Sequence, residues 1–231
     1  MQFEFRGFME FPFGLLSAPL TYDAPTLAQM RAKVMQDLRD PEGKTISVDE
    51  ATDLVRMAII EVSSVYPKEA TDVITLEAGT YRYPTLVQEP FRVELVTVDG
   101  VFVIEPGDGV DVRNGWDHFA GVLDLPQALS FSVTGNPDTT DLLRVWGYAP
   151  RIPPDLDDDV VDVDAKAERA IRLNAALTGY QRLVNDRTLY SQWNTASGNT
   201  DVTMSQLVSL AQVFSQQWDA ERRRLRVLRR S

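Results

Sequence analysis

Residues 71–150 interrupt a chain that is otherwise patterned for helices. This stretch holds eight of the thirteen glycines and six of the thirteen prolines, with short β-branched and aromatic runs between them. Short runs separated by turn residues are typical of a small all-β unit. The pattern predicts an α+β protein in which a small bundle of about four helices carries an inserted all-β unit, sandwich-like or barrel-like in form.

The change of pattern along the chain predicts four segments. They are an N-terminal aromatic arm (residues 1–25), the first half of a helical domain (26–69), an inserted β domain (70–152), and the second half of the helical domain with a basic C-terminal helix (153–231).

The first helical half contains two helices with clear start signals. Thr26 is placed as an N-cap, and Pro41 follows the first helix. Ser47 and Glu50 have capping-box spacing ahead of the second helix, which is expected to end before Pro67. Apolar residues at i, i+3 and i+4 spacing predict a buried face on each helix. These residues are Leu27, Met30, Val34 and Leu38 in the first helix, and Val48, Ala51, Leu54, Val55, Ala58, Ile59, Val62 and Val65 in the second.

Several short strands are predicted in the inserted unit. The strongest hairpin signal is Asp99-Gly100, a pair suited to the positive φ angles of a two-residue turn. Other expected strands are DVITL, YPTLV, GVLDL, LSFSV and LLRVWGY.

The second helical half begins with an acidic linker. Six aspartates lie between Asp155 and Asp164, and we expect a solvated segment in which Asp162 or Asp164 caps the next helix. A helix is then predicted over 165–184, a loop over 185–201, and a long final helix from about Val202.

Composition excludes several kinds of protein. The chain has 231 residues, an apolar fraction of 44% and no cysteine, so it predicts a packed globule without disulfides or thiolate chemistry. No apolar run approaches the roughly 20 residues that span a bilayer, and the N-terminus lacks the pattern of a signal peptide. We therefore expect a soluble intracellular protein that makes no membrane contact.

Catalytic and cofactor sites are not expected. His118 is the only histidine, and no G-x-S-x-G motif accompanies it. Asp155, Asp157 and Asp159 match the first positions of a calcium loop, but Val160 and Lys166 stand where that loop needs glycine and glutamate. The glycines in residues 105–115 lack the lysine and hydroxyl residue of a phosphate-binding loop. The sequence predicts a protein that is not an enzyme and has no cofactor, although weak divalent binding by the aspartate run stays open.

The aromatic arm is rich in phenylalanine. It contains half of the ten phenylalanines in the chain, namely Phe3, Phe5, Phe8, Phe11 and Phe13. Exposed aromatic residues at this density favour aggregation unless they are covered. Two alternatives stay open: the arm folds back on its own core, or it packs on a neighbouring subunit.

The C-terminus is basic although the protein is acidic. The segment from Glu221 to Ser231 contains six arginines and one glutamate, so it carries +5 and the rest of the chain −16 of the net −11. Arginines interleaved with apolar residues are typical of a docking element that pairs with carboxylates or phosphates. The alternative is a solvated helix end that complements the helix dipole. The predicted docking residues are Trp218, Arg222, Arg223, Arg224, Leu225, Arg226, Leu228, Arg229 and Arg230.

Three segments together resemble the head-tail adaptor (connector) proteins of long-tailed bacteriophages. They are the early helix TLAQMRAKVMQDLRD, the capped helix SVDEATDLVRMAIIEVSSVYP, and the C-terminal WDAERRRLRVLRRS preceded by YSQWN. The resemblance covers about half of the chain, all of it helical. It does not extend to the large β unit or to the aromatic arm.

The resemblance implies a structural protein of the virion neck, assembled in the host cytoplasm. Such a protein forms a homo-oligomeric ring, commonly of twelve copies, between the portal protein and a tail-side neck or tail terminator protein. Double-stranded DNA passes through the channel without specific binding, and the basic C-terminal helix docks on an acidic rim of the portal.

Two other functions compete with this one. The first is a carbohydrate-binding β-sandwich module, in which Tyr81, Tyr83, Trp116 and Trp146 offer stacking surfaces and the aspartates a calcium site. The second is a hydrolase with paired carboxylates. The four expected helices argue against the first, and the sequence places no two acids across a cleft for the second.

Overall fold

The computed structural model describes residues 22–77, 80–96, 116–125 and 142–230. These residues form a mixed α/β fold with five helices and six strands. The helices are α1 (Leu27–Asp37), α2 (Val48–Val65), α3 (Ala165–Asn185), α4 (Arg187–Ala196) and α5 (Met204–Arg230). The strands are β1 (Lys68–Thr75), β2 (Arg82–Pro84), β3 (Glu89–Val96), β4 (Asp117–Phe119), β5 (Val122–Asp124) and β6 (Leu142–Ala149). In the order of the sequence, all described strands thus lie between the two helical halves.

The helix starts are explained by local capping. The backbone N–H of Gln29 donates to Thr26 Oγ1, and the backbone N–H of Thr26 donates to Gln29 Oε1. Ser47 and Glu50 form the predicted capping box at the start of α2. Asp164 caps α3 by accepting from the N–H of Ala167 at 2.7 Å. The predicted caps are therefore confirmed.

One continuous apolar cluster joins the two helical halves. All four predicted stripe residues of α1 are buried, as are those of α2 except Val48, which is 51% exposed. Val48 is the first residue of α2 and lies at the edge of the bundle rather than in its core. α3 packs on α1, α2, α4 and α5, so it is the central helix of the cluster.

The expected number of helices was too small. Residues 187–196, predicted as part of a loop, form α4. Asp186 caps this helix by accepting from the backbone N–H groups of Thr188 and Leu189. Trp193 is its one fully buried residue. The helical core therefore contains five helices in the described part of the chain.

The β unit consists of two small antiparallel sheets. Their strand orders are β1-β6-β3 and β2-β5-β4. Buried residues of both sheets, including Tyr83, Val93, Leu123, Leu143 and Val145, belong to one apolar cluster that is separate from the helical core. The described strands do not form a closed barrel, so the barrel-like alternative is wrong for this part of the chain.

A tight turn between β4 and β5 was not predicted. Ala120 and Gly121 both have positive φ, 52° and 79°, as a two-residue type I′ turn requires. The predicted Asp99-Gly100 hairpin, the strand LSFSV and the five arm phenylalanines all lie outside the described residues.

Replacing Ala120 with asparagine is expected to stabilise the β unit by roughly 0.5–1 kcal/mol. An alanine side chain is strained at positive φ, whereas asparagine tolerates this region and favours type I′ turns. Ala120 is exposed, so the larger side chain meets no core residue. Urea unfolding of both proteins measures the change. Replacing the neighbouring exposed Phe119 with asparagine is the control, and it gives no gain because Phe119 lies in β4, before the turn.

The acidic linker packs on the helical core, although five of its six aspartates are exposed to solvent, as expected. We call residues 150–164 the strap. Val161 and Val163 are buried in the helical core, and Val161 N–H donates to the Pro25 carbonyl at 2.9 Å. Arg31 forms two hydrogen bonds with the Asp157 carboxylate, of 2.7 and 3.0 Å, which lower the pKa of Asp157. The strap thus packs against the N-terminal end of α1.

Arg151 fixes the point where the chain passes between the helical core and the β unit. Its backbone N–H donates to Ser63 Oγ at 2.8 Å. Its guanidinium donates to the carbonyls of Tyr66 at 3.1 Å and Asp162 at 2.7 Å, and lies 5.3 Å from the Tyr66 ring centroid. Because Tyr66 precedes β1 and Arg151 follows β6, this side chain holds both connections to the β unit together.

Candidate docking interface

The basic C-terminus belongs to α5, the longest of the described helices. Thr203 and Gln206 form a capping box at its start, with the Gln206 N–H donating to Thr203 Oγ1 at 3.3 Å and the Thr203 N–H to Gln206 Oε1 at 2.8 Å. The side chains of Tyr190 and Asn194 both donate to the Val202 carbonyl just before it. The start of α5 is therefore fixed on α4. A helix of 27 residues extends about 40 Å from this point.

One face of α5 belongs to the core of its own chain. Leu207 and Leu225 are fully buried, and Trp218 is 5% exposed. Phe214 is partly buried, and its ring centroid lies 5.1 Å from that of Tyr180 on α3. Two predicted docking residues, Trp218 and Leu225, thus pack within the chain. Neither side chain is exposed to a partner.

The arginines lie on the outer face of the same helix end. Arg223, Arg224 and Arg226 are exposed, and Arg222 is half-buried. Arg224 pairs with Glu221, whose side chain is only 7% exposed. Arg222, Arg223 and Arg226 form no ion pair with another described residue. The helix continues to Arg230, but the structure does not describe the side chains of Leu228, Arg229 and Arg230.

The position of these arginines favours binding of anions. Arginine presents planar N–H groups that bind carboxylates and phosphates in pairs. Cations in the last turn of a helix also interact favourably with the dipole, by roughly 0.3–1 kcal/mol each, and of the six arginines Arg229 and Arg230 lie in the last turn of α5. Only Arg224 is neutralised from within the described chain, by Glu221. The cluster can therefore accept carboxylates from a partner surface.

The four aromatic residues of the predicted carbohydrate-stacking surface are all at least partly buried. Tyr83 is 4% exposed, and its hydroxyl donates towards the carbonyls of Glu77 and Thr80. Trp146 is half-buried in the central strand β6 and interacts with its surroundings. Tyr81 and Trp116 are half-buried as well. The four rings do not form one exposed platform.

The residues considered as catalytic or metal-binding candidates, His118 and the aspartates of the strap, lie in different parts of the fold. His118 lies in β4, and its Nε2 atom is buried without a hydrogen-bond partner in the described part of the protein. In residues 22–77, 80–96, 116–125 and 142–230, no three His, Asp or Glu side chains come together as metal ligands. Within these ranges, Asp157 pairs with Arg31 and Asp162 with Lys68, while Asp159 and Asp164 accept from backbone N–H groups.

Comparison with known proteins adds no relative. No protein-family model matches this sequence, and no curated protein matches it. None of the described helices is long and apolar enough to cross a membrane.

Proposed function

We propose that the chain is a structural, non-enzymatic subunit of the neck of a long-tailed bacteriophage. In this proposal it forms a homo-oligomeric ring that joins the portal protein to a tail-side neck or tail terminator protein and lines the DNA channel. The β unit, which we take to be sandwich-like, lies outside the helical ring as a platform. The virion head-tail interface is the corresponding location.

The observation that carries the proposal is the arginine cluster at the end of α5. The helix is anchored through Trp218 and Leu225, while Arg223 and Arg226 point away from the core. Two or three cations would suffice for a solvated helix end to complement its dipole. Six arginines on a chain with a net charge of −11 instead favour a specific acidic partner. An acidic rim of the portal fits this requirement.

The charge outside the cluster supports a role around DNA. With −16 outside the C-terminal segment, the body of the protein repels a phosphate backbone. Repulsion suits a channel wall, because DNA must slide along it without being held.

Exposed apolar residues support contacts between copies. On α2, Met57 is 54% and Ile60 is 60% exposed, and on the strap Ile152 and Leu156 are 74% and 67% exposed. Large exposed apolar side chains in one region are typical of protein interfaces. A ring requires two different contact surfaces on each subunit, so that each copy binds the next head to tail.

The portal contact is tested by reversing the charge of two exposed arginines. Truncation before Arg222 is unsuitable, because it also removes the fully buried Leu225. We expect Arg223→Glu/Arg226→Glu to fold normally and to weaken binding to the portal ring of the same phage by at least about 100-fold, since two attractive interactions become repulsive. Binding is measured by sedimentation with purified portal rings, and ring formation by electron microscopy.

The matched control reverses two exposed arginines elsewhere. Arg182 and Arg187 lie at the junction of α3 and α4, and both are exposed. Arg182→Glu/Arg187→Glu changes the net charge by the same amount and should leave portal binding nearly unchanged. Equal losses in the two variants would mean that net charge, and not the α5 cluster, controls binding. Failure of the unmodified protein to bind the portal would contradict the proposed function.

A further inference from the structure

A groove of about 470 Å³ lies between α3 and α5. Leu173 and Phe214 line its apolar part, and both are only partly buried by their own chain. Glu168, Arg169 and Arg172 line its polar part. Pockets of roughly 300–1,000 Å³ with an apolar lining and a few polar groups are typical ligand sites.

The described chain begins at this groove. The hydroxyl of Tyr22 donates to Glu168 Oε2 at 2.7 Å. The other oxygen of the same carboxylate accepts from Lys33 Nζ at 2.6 Å, so Glu168 is held between α1 and the entering chain. Tyr22 is thus fixed beside one of the residues that line the groove.

We propose that the groove is the binding site of the aromatic arm of the same chain. One or more of its five phenylalanines would pack on Leu173 and Phe214. This inference is independent of the connector ring, because it concerns a single chain.

The length of the arm fits this arrangement. Phe13 precedes Tyr22 by nine residues, which span up to about 30 Å when extended. The α3 wall of the groove, from Ala165 to Leu173, is about 12 Å long at 1.5 Å per residue. An extended arm is therefore long enough to reach along the whole groove from Glu168, the residue that binds Tyr22.

The chemistry of the groove also fits the arm. Phenylalanine rings need an apolar surface, and Phe214 already contacts the Tyr180 ring, so a further ring would extend an aromatic group. Arg169 forms no ion pair with another described residue, and the arm contains Glu4 and Glu10. The arm thus supplies both the apolar and the acidic groups that the groove can bind.

Disulfide trapping in the full-length chain tests the proposal, because the protein has no cysteine of its own. Gln217 lines the groove and is exposed. Gln217→Cys is combined in turn with a cysteine in place of each arm phenylalanine, and disulfide formation is followed in dilute solution. We expect an intramolecular disulfide for at least one pair, because bound segments bring Cα atoms within the roughly 4.4–6.8 Å that the bond requires.

The matched control is Gln216→Cys. Gln216 is the adjacent exposed residue of α5 but does not line the groove. We expect at least about tenfold slower trapping there, since one helical step turns the side chain by about 100°. Leu173→Asp should slow trapping at Gln217 to a similar extent by making the apolar wall polar. Equal rates at Gln216 and Gln217, no trapping at any arm position, or disulfide-linked dimers in place of monomers would each overturn the proposal.

Discussion

Replacing Trp193 with alanine is expected to lower the free energy of unfolding by about 3–5 kcal/mol. The Trp193 side chain is fully buried, and its ring meets Tyr180 edge-on with a centroid distance of 6.4 Å. Its Nε1–H donates to the Leu38 carbonyl at 2.8 Å. The substitution therefore opens a large cavity and also leaves a carbonyl at the end of α1 without its partner.

Two further variants separate these contributions. Trp193→Phe keeps most of the apolar contact but removes the hydrogen bond, so its cost should be smaller, about 1–3 kcal/mol. Val213→Ala on α5 is the surface control, because Val213 is 46% exposed; its effect should stay within about 0.5 kcal/mol. Urea unfolding followed by circular dichroism at the helical band measures all three. A loss of less than about 1 kcal/mol for Trp193→Ala would mean that α4 contributes little to the core.

Trp193 also explains why the sequence did not predict α4. The stretch 187–196 is short and mostly polar, and its apolar face is limited to Leu189, Tyr190 and Trp193, of which only Trp193 is fully buried. The helix is stabilised by tertiary contacts, chiefly the insertion of Trp193 against the end of α1. One local signal was present: Asp186 precedes the helix as an N-cap, followed by Leu189 and Trp193 at i, i+4 spacing.

Local capping, in contrast, was readable from the sequence. Thr26, Ser47 and Asp164 cap their helices by bonding to residues only three positions away. Both partners of each bond are therefore visible in a short stretch of sequence. The strap could not be predicted in the same way. Its order depends on Arg31, Arg56 and other groups that lie about 100 or more residues earlier in the chain.

The candidate interface was predictable only in part. The arginine cluster is visible in the sequence as a charge run, and Arg223, Arg224 and Arg226 are exposed in the structure. Trp218 and Leu225 were assigned to a partner, yet they fill the core between α5 and the other helices. An apolar residue within a charge run looks the same in the sequence whether its helical face points inward or outward, and only the packing of α5 on α3 decides this.

Replacing Asp40 with alanine is expected to lower the free energy of unfolding by about 3–4 kcal/mol. The carboxylate is 1% exposed and accepts four hydrogen bonds. Three come from the backbone N–H groups of Lys44, Thr45 and Ile46, at 3.0, 2.9 and 2.8 Å. The fourth comes from Ser197 Oγ at 2.7 Å. Asp40 therefore organises the loop between α1 and α2 and fastens it to the end of α4.

The sequence contains no hint of this role, because Asp40 precedes Pro41 in a segment that simply resembles a helix stop. Asp40→Asn should cost less than Asp40→Ala, since one acceptor oxygen remains for the loop N–H groups. Asp53→Asn is the control, because Asp53 is exposed on α2. We expect the control to lie within about 0.5 kcal/mol of the unmodified protein. Equal effects of Asp40→Asn and Asp53→Asn would contradict the structural role.

The same site predicts a dependence of stability on pH. Burial alone raises the pKa of Asp40, but the hydrogen bonds from Ile46, Ser197, Thr45 and Lys44 outweigh burial and hold the pKa below its usual value. A carboxyl group whose pKa is lower in the folded state contributes stability above its unfolded pKa of roughly 3.9. That contribution is lost as the pH falls below this value and through the folded pKa.

The difference in stability between the unmodified protein and Asp40→Asn should therefore be constant near neutral pH and shrink in acid. Other carboxylates with lowered pKa values, among them Glu50 and Glu168, are present in both proteins, so their titration cancels in the difference. Urea unfolding at a series of pH values from neutral to acid measures this quantity. A difference that stays constant down to the acid limit of folding would mean that the Asp40 carboxylate is not stabilised in its charged form.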